Sequence, residues 1–173
     1  MSSPVRRPVA VLVGTMGAGK TTVGELLAER LGVGFLDSDH VVEEQAGKSV
    51  QEIFVDDGEA TFRTLERDAV ARTLATHEGV LSLGGGAVLD PATRDLLADH
   101  DVVFLRVGLA DAVKRVGLGV GRPLLLGNVR ARIKQLLDER TPLYEGLARI
   151  AVDTDGRSPE DVVAEIVGRL ADA

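Results

Sequence analysis

The chain has 173 residues, of which 45% are apolar and 27% are charged, and its formal net charge is -7. This length fits one domain with a single core, and the apolar content excludes an intrinsically disordered chain. The sequence has no cysteine for a disulfide or a thiolate metal site, and no apolar run near the roughly 20 residues of a membrane span. The acidic balance argues against nucleic acid or a membrane as partner. We therefore expect a cytoplasmic protein.

The basic residues divide unevenly, into 16 arginines and 4 lysines. The planar guanidinium group of arginine grips carboxylates and phosphates through paired hydrogen bonds. An acidic chain with this excess of arginine can still form a basic pocket for a small anion.

Short β-rich runs alternate with longer helical patterns along the chain. Strands are predicted at Val9–Val13, Gly34–Leu36, Val80–Leu83, Val102–Val107 and Arg149–Val152. Helices are predicted at Lys20–Leu31, Gly58–Thr76, Ala92–Ala98, Leu109–Val116, Val129–Glu139 and Pro159–Ala171, and capping side chains mark helix starts at Ser49, Asp90 and Ser158. The alternation predicts an α/β fold with a mostly parallel sheet, in which ligands lie beyond the carboxyl ends of the strands.

A phosphate-binding sequence follows the first predicted strand. Residues 14–21 match the pattern GxxxxGK[ST] and lead directly into a helical pattern. In such a loop the glycines let successive backbone N–H groups point at phosphate oxygens, next to the positive end of a helix. Lys20 is expected to reach the β- and γ-phosphates, and the Thr21 hydroxyl to bind Mg²⁺. The motif alone fits ATPases, GTPases, switch proteins and small-molecule kinases, but a GTPase would need an Asn-Lys-x-Asp segment that this sequence lacks.

Two aspartates, Asp37 and Asp39, follow the second predicted strand. In extended backbone, residues two apart point to the same side, so both carboxylates would face the space beside the phosphate loop. One could hold Mg²⁺ and the other could accept or orient a substrate hydroxyl proton. The alternative is that one of them, such as Asp39, only caps the next helix.

Spacing in the sequence does not decide the role of two further features. Arg63 lies on a predicted helix, where a single arginine is usually a solvated surface charge. The run Gly84-Gly85-Gly86 follows the third predicted strand, and it could be a plain turn or a place where the backbone approaches a ligand closely.

Taken together, these segments resemble the shikimate kinases, small P-loop kinases of aromatic amino-acid biosynthesis. The resemblance runs from about Val9 to Leu170. It is carried by the phosphate loop and by Asp37-Ser38-Asp39, Phe62-Arg63, Leu81-Ser82-Leu83-Gly84-Gly85-Gly86-Ala87, Arg122-Pro123-Leu124-Leu125 and Arg140-Thr141-Pro142-Leu143-Tyr144. It implies a single three-layer P-loop NTPase domain with a five-stranded parallel sheet, an acceptor-binding part at about residues 37–65 and a mobile lid at about residues 115–126.

The resemblance also implies an activity and a set of site residues. The activity is Mg²⁺-dependent transfer of the ATP γ-phosphoryl group to the 3-hydroxyl of shikimate, by a protein with no nucleic-acid or membrane partner that acts as a monomer. The implied catalytic residues are Lys20, Asp39 and Arg122, and the implied metal-site residues are Thr21 and Asp37. ATP would contact Gly17, Ala18, Gly19, Lys20, Thr21, Thr22, Arg115, Arg122 and Pro159. Shikimate would contact Asp39, Phe54, Phe62, Arg63, Gly84, Gly85, Gly86 and Arg140.

The predicted lid departs from the family pattern. Val116–Gly121 carries three glycines and no charge, where relatives often have polar or basic residues, although Arg122 is retained. This stretch is expected to act as hinge and cover over both substrates.

Two other functions are consistent with the phosphate loop. One is another small-molecule kinase of the same fold, acting on gluconate or a nucleotide, although the 3% aromatic content disfavours base stacking. The other is an ATP-binding regulatory protein without turnover, but phosphate binding alone would not need the acceptor aspartate. The three histidines, His40, His77 and His100, are dispersed and do not predict a metal site.

Overall fold

The computed structural model describes residues 7–120 and 126–172, with side chains at residues 7–116 and 129–172. The five predicted strands are all present, and no strand end differs from its prediction by more than one residue. They are β1 (Ala10–Val13), β2 (Phe35–Asp37), β3 (Val80–Ser82), β4 (Val102–Arg106) and β5 (Ile150–Asp153). All neighbouring strands are parallel, in the order β2-β3-β1-β4-β5. The predicted five-stranded parallel sheet flanked by helices is therefore confirmed.

Eight α-helices and one short 3₁₀ helix are found in the described residues. The α-helices are α1 (Lys20–Leu31), α2 (Ser38–Ala46), α3 (Val50–Asp57), α4 (Glu59–Thr76), α5 (Pro91–Leu97), α6 (Leu109–Val120), α7 (Leu126–Leu147) and α8 (Pro159–Ala171), and the 3₁₀ turn is Ala87–Leu89. The predicted caps are confirmed. Ser49 and Glu52 form a reciprocal capping box on α3, and Asp90 and Ser158 accept backbone N–H groups at the starts of α5 and α8.

The prediction that the backbone stays extended from Asp37 to Asp39 was wrong. Strand β2 ends at Asp37 and helix α2 begins one residue later. Asp37 is the residue that caps α2, because its Oδ1 accepts the backbone N–H of Asp39 at 2.8 Å. Asp39 therefore lies in the first helical turn and does not act as the cap.

Helix α7 is longer than predicted at both ends, and Pro142 lies inside it. Proline removes one backbone hydrogen bond and usually ends a helix, yet α7 continues beyond Pro142 to Leu147. Tertiary packing outweighs that cost here. Tyr144, one turn beyond Arg140, is fully buried and its ring lies 5.2 Å from the ring of Phe104 on β4, measured between centroids.

Helix α6 also continues past its predicted end at Val116, to Val120. The first part of the glycine-rich segment expected to be a hinge is thus helical in backbone. Residues 121–125, including Arg122, lie outside the described residues.

The sheet separates two apolar layers. The layer formed with α1, α6 and α8 is built around residues such as Leu12, Leu27 and Ile166, and the layer with α4, α5 and α7 around Leu81 and Tyr144. A third, smaller cluster joins α2, α3 and α4 beyond the β2 edge. This packing fixes β1 at the centre of the sheet, so its carboxyl end opens at the middle of one edge. In the described part of the chain, no helix is long and apolar enough to cross a membrane.

A pair of helical glycines provides a test of this packing. A Cβ on Gly24 of α1 would lie 2.3 Å from Cε2 of Phe35 on β2, whereas one on Gly168 of α8 would meet no atom within 4 Å. Both changes to alanine favour helix formation by up to about 1 kcal/mol, but Gly24→Ala also overpacks the interface, at a cost of about 1–3 kcal/mol. We expect Gly168→Ala to stabilise the protein and Gly24→Ala to destabilise it in urea unfolding. A stabilising Gly24→Ala would contradict the close approach of α1 to β2.

Candidate active site

The loop between β1 and α1 has the curled backbone that its glycines predict. Gly14, Gly17 and Gly19 have φ values of 154°, 82° and 90°, and the last two are in the left-handed region that side chains disfavour. The loop ends on the first residue of α1, Lys20, whose Nζ donates to the backbone oxygens of Gly14 at 2.5 Å and Thr15 at 3.2 Å. The lysine is thus folded over its own loop.

Lys20 lies between acidic and basic neighbours. Burial lowers the pKa of Lys20 from 10.5 to about 8, while Asp37 and Asp39 oppose that shift and Arg140 adds to it. An anion placed in the loop would favour the charged form of this ammonium group. The arrangement therefore suits a ligand that brings its own negative charge.

A cavity of about 230 Å³ adjoins the phosphate loop on the side of α6 and α8. Its lining includes five of the residues predicted to contact a nucleotide, namely Ala18, Gly19, Thr22, Arg115 and Pro159. The Arg115 guanidinium donates to the oxygens of Gly17 at 2.9 Å and Thr154 at 3.0 Å. Sequence reasoning missed Thr154 and Arg157 of this cavity. Both follow the carboxyl end of β5, and ligands are expected beyond the carboxyl ends of parallel strands.

The loop after β3, Gly84–Gly86, is packed against three charged side chains. A Cβ on Gly84 would lie 2.6 Å from Asp39 Oδ1, and one on Gly86 would lie 2.6 Å from Arg63 Nη1 and Nη2. A Cβ on Gly85 would lie 3.2 Å from Arg140 Nη1 and 3.6 Å from the backbone oxygen of Gly14. The three glycines are therefore a close approach rather than a plain turn, and they lie beside the phosphate loop.

Asp39, Arg63 and Arg140 converge on this glycine loop from α2, α4 and α7. Asp39 Oδ1 and Arg140 Nε are both buried, and neither has a hydrogen-bond partner among the described residues. Burial raises the pKa of Asp39, Asp37 adds to the rise, and Lys20 opposes it. Buried polar atoms without partners are costly, so a cleft that keeps two of them is suited to a polar ligand.

Arg63 is fixed by a partner that the sequence analysis did not name. Its Nη1 donates to Glu66 Oε1 at 2.8 Å, one helical turn along α4, and Glu66 is 4% exposed. Burial raises the pKa of Glu66 and the bond to Arg63 opposes that rise. The spacing of three residues on one helix face was the signal that could have revealed this pair.

The two phenylalanines predicted to contact the acceptor pack against each other. The rings of Phe54 and Phe62 lie 4.7 Å apart between centroids, with Phe62 buried and Phe54 half-buried. The Arg63 guanidinium lies 5.3 Å from the centre of the Phe62 ring, within reach of a cation–π interaction.

Thr21 and Asp37 line one cavity of about 400 Å³ beside the phosphate loop. A hydroxyl and a carboxylate are oxygen donors of the kind that Mg²⁺ accepts, and Asp37 uses one carboxylate oxygen for capping, which leaves the second for a metal or its water. These two residues therefore fit a magnesium site shared with a phosphate group. No cluster of three or more metal-ligating side chains occurs in the ranges the structure describes.

Comparison with known proteins gives one consistent family. The family model for shikimate kinase matches residues 16–171. The shikimate kinases of Thermobifida fusca (strain YX) and Salinispora arenicola (strain CNS-205) are 58% and 59% identical to this chain. The alignments cover 94% and 95% of this chain and 94% and 98% of the respective relatives.

Solved structures agree with the sequence relatives. The shikimate kinase from Acinetobacter baumannii in complex with shikimate matches with a TM-score of 0.88 at 36% identity, covering 96% of this chain and 94% of the other. A gluconokinase from Sinorhizobium meliloti has a TM-score of 0.60 at 24% identity, which shows a shared fold alone. From the family model and the close relatives together, this chain belongs to the shikimate kinase family.

Proposed function

We propose that this protein transfers the γ-phosphoryl group of ATP to the 3-hydroxyl of shikimate, which gives shikimate 3-phosphate and ADP, as a step of chorismate and aromatic amino-acid biosynthesis. The observation that supports it most directly is the convergence of one carboxylate and two guanidinium groups on the glycine loop beside the phosphate loop. Shikimate has one carboxylate and several hydroxyls, and this cleft offers forked cations and a hydroxyl acceptor at one place.

Arg63 and Arg140 would hold the shikimate carboxylate. Arg63 is held by the Glu66 carboxylate, whereas Arg140 has a hydrogen bond with the Tyr144 hydroxyl and an Nε without a partner in the described residues, so Arg140 still has an N–H group to offer a ligand. Gripping the carboxylate positions the reacting hydroxyl for in-line attack on the γ-phosphorus. The Phe54 and Phe62 rings would limit the space beside the ring of the substrate.

Asp39 would contact the reacting hydroxyl and accept or orient its proton. Its raised pKa makes its ionised form a better proton acceptor than an exposed aspartate, and Oδ1 is free of any hydrogen bond among the described residues. Lys20 would leave its own loop oxygens and bind the β- and γ-phosphates, where its charge stabilises the transferring group.

Residues Gly17, Ala18, Gly19, Thr22, Arg115 and Pro159 would hold the rest of ATP in the adjoining cavity. Mg²⁺, held by Thr21 and Asp37, would neutralise charge on the β- and γ-phosphates. Residues 37–65 would form the acceptor side and residues 115–126 the lid of a single domain, with Arg122 reaching both substrates. We expect a cytoplasmic monomer without nucleic-acid or membrane partners.

The direct test is ADP formation with each acceptor in turn, using purified protein, ATP and Mg²⁺. Shikimate should give turnover, while gluconate and AMP should give only the background seen without acceptor. Turnover with gluconate alone would assign the protein to a different kinase activity on the same fold. Binding of ATP with no turnover for any acceptor would favour a regulatory protein.

Replacing Asp39 by asparagine tests the role of that carboxylate. Asp39→Asn keeps the size of the side chain and removes the proton acceptor, so kcat should fall by about 10²- to 10⁴-fold while ATP still binds. In the unaltered enzyme, kcat/KM should fall as the pH drops through the raised pKa of Asp39, because the protonated carboxyl cannot accept a proton. Glu44→Gln, at an exposed position of the same helix, is the matched control. Unchanged turnover in Asp39→Asn removes this residue from the base or orienting role.

Replacing Arg140 by alanine tests the carboxylate grip. Arg140 forms no ion pair with a carboxylate among the described residues, so its removal strands no buried charge, unlike removal of Arg63, which would leave Glu66 unpaired. Loss of one charged hydrogen bond, worth about 1.5–3 kcal/mol, should raise the KM for shikimate by about 10- to 100-fold and leave the KM for ATP nearly unchanged. Arg132→Ala, at an exposed position of α7, is the control. An effect confined to ATP would contradict the assignment.

A further inference from the structure

The peptide groups of the glycine loop are fixed from outside the loop. The backbone oxygens of Gly84 and Gly86 accept the N–H groups of Ala87 at 3.0 Å and Leu89 at 3.1 Å, and the Gly84 N–H donates to Ser38 Oγ at 3.0 Å. The remaining oxygen, that of Gly85, has a single partner in the described part of the chain, the hydroxyl of Tyr144 at 2.5 Å. Tyr144 thus completes the set of bonds that hold this turn.

The bond between Tyr144 and Gly85 has a consequence for the next N–H group. In a trans peptide the C=O of one residue and the N–H of the next point in opposite directions. Because the Gly85 oxygen accepts from the buried Tyr144 hydroxyl, the Gly86 N–H points to the opposite side, away from Tyr144. The N–H groups of Gly85 and Gly86 have no hydrogen-bond partner within residues 7–120 and 126–172, so they are available as donors.

We propose that Tyr144 is a positioning residue for the acceptor site, which it serves by holding the Gly85–Gly86 peptide so that its N–H can donate to the bound acceptor. This inference rests on the proposed function and adds a residue to its machinery. Tyr144 does not touch the acceptor itself, since it lies behind the loop with its ring against Phe104.

Three observations separate this role from plain packing. The Tyr144 hydroxyl donates to the loop oxygen and also makes a hydrogen bond with the Arg140 side chain, and both partners belong to the acceptor side rather than to the core. The side chain is 0% exposed, so its orientation is fixed by its surroundings. Arg140 lies one turn earlier on the same helix and packs against the same Gly85 backbone, so α7 brings two hydrogen-bonded side chains to one peptide group.

The hydroxyl also keeps its proton over the working pH range. Burial raises the pKa of Tyr144 to about 12, although the nearby Arg140 opposes that rise. The donor role is therefore independent of pH, which separates it from the titration of Asp39.

Tyr144→Phe removes the hydroxyl and keeps the ring. Once the Gly85 oxygen is released, the Gly86 N–H loses its fixed direction, and the bound acceptor loses one hydrogen bond. We expect the KM for shikimate to rise by about 3- to 10-fold, with kcat within about 2-fold of the unaltered enzyme and the KM for ATP unchanged. The KM for shikimate of Tyr144→Phe divided by that of the unaltered enzyme should stay constant from about pH 6 to about pH 10, because the Tyr144 hydroxyl does not titrate there.

Phe104→Leu is the matched control, because it removes the ring that Tyr144 packs against and leaves the hydroxyl in place. Both variants should unfold at a lower temperature than the unaltered protein, but only Tyr144→Phe should raise the KM for shikimate. An unchanged KM for shikimate in Tyr144→Phe overturns the proposal, and so does an equal rise in Phe104→Leu, which would indicate packing alone. Failure of the unaltered protein to phosphorylate shikimate in the same assay would instead overturn the proposed function.

Discussion

The arrangement of the site depends on the lack of side chains at Gly84–Gly86. Asp39 and Arg63 lie within 2.6 Å of the places where Cβ atoms would be at Gly84 and Gly86, and Arg140 lies within 3.2 Å of that place at Gly85. None of these three glycines has a positive φ, so backbone conformation alone does not demand glycine there. The requirement is space, because charged groups from three different helices must reach one short stretch of backbone. An alanine at any of the three would displace a group that is proposed to hold or activate the acceptor.

Local placement of charge outweighs the net charge of -7. Burial and the nearby Arg140 lower the pKa of Lys20, while Asp37 and Asp39 oppose that fall. The positive and negative side chains of this cleft nearly cancel before ligands enter. Two anionic substrates would then favour the charged forms of its cations. The excess of arginine over lysine fits this requirement, because arginine stays charged when buried whereas the pKa of Lys20 falls to about 8.

The sequence predicted all five strands because each is a short apolar run followed by glycine or a polar residue, and it predicted the phosphate loop because that motif is local. It failed where tertiary contacts override local preference. Pro142 stands inside α7, where Tyr144 two residues later is fixed in the core, and the predicted helix end at Glu139 was too early. Asp37 caps α2 although Asp39 is the same residue type, since the point where the strand ends decides which of the two aspartates is the cap.

The contacts that complete the site join residues far apart in sequence, and strand order decides which of them can form. Because β3 lies between β2 and β1, the glycine loop that follows it lies between the aspartates after β2 and the phosphate loop after β1. Ser38 and Tyr144 then reach the loop across 46 and 59 residues. A list of strands in chain order contains no neighbour relationships, so neither contact could be derived from spacing. Fixing the glycine loop therefore requires the whole sheet to be assembled, which ties the geometry of the acceptor site to the folding of the entire domain.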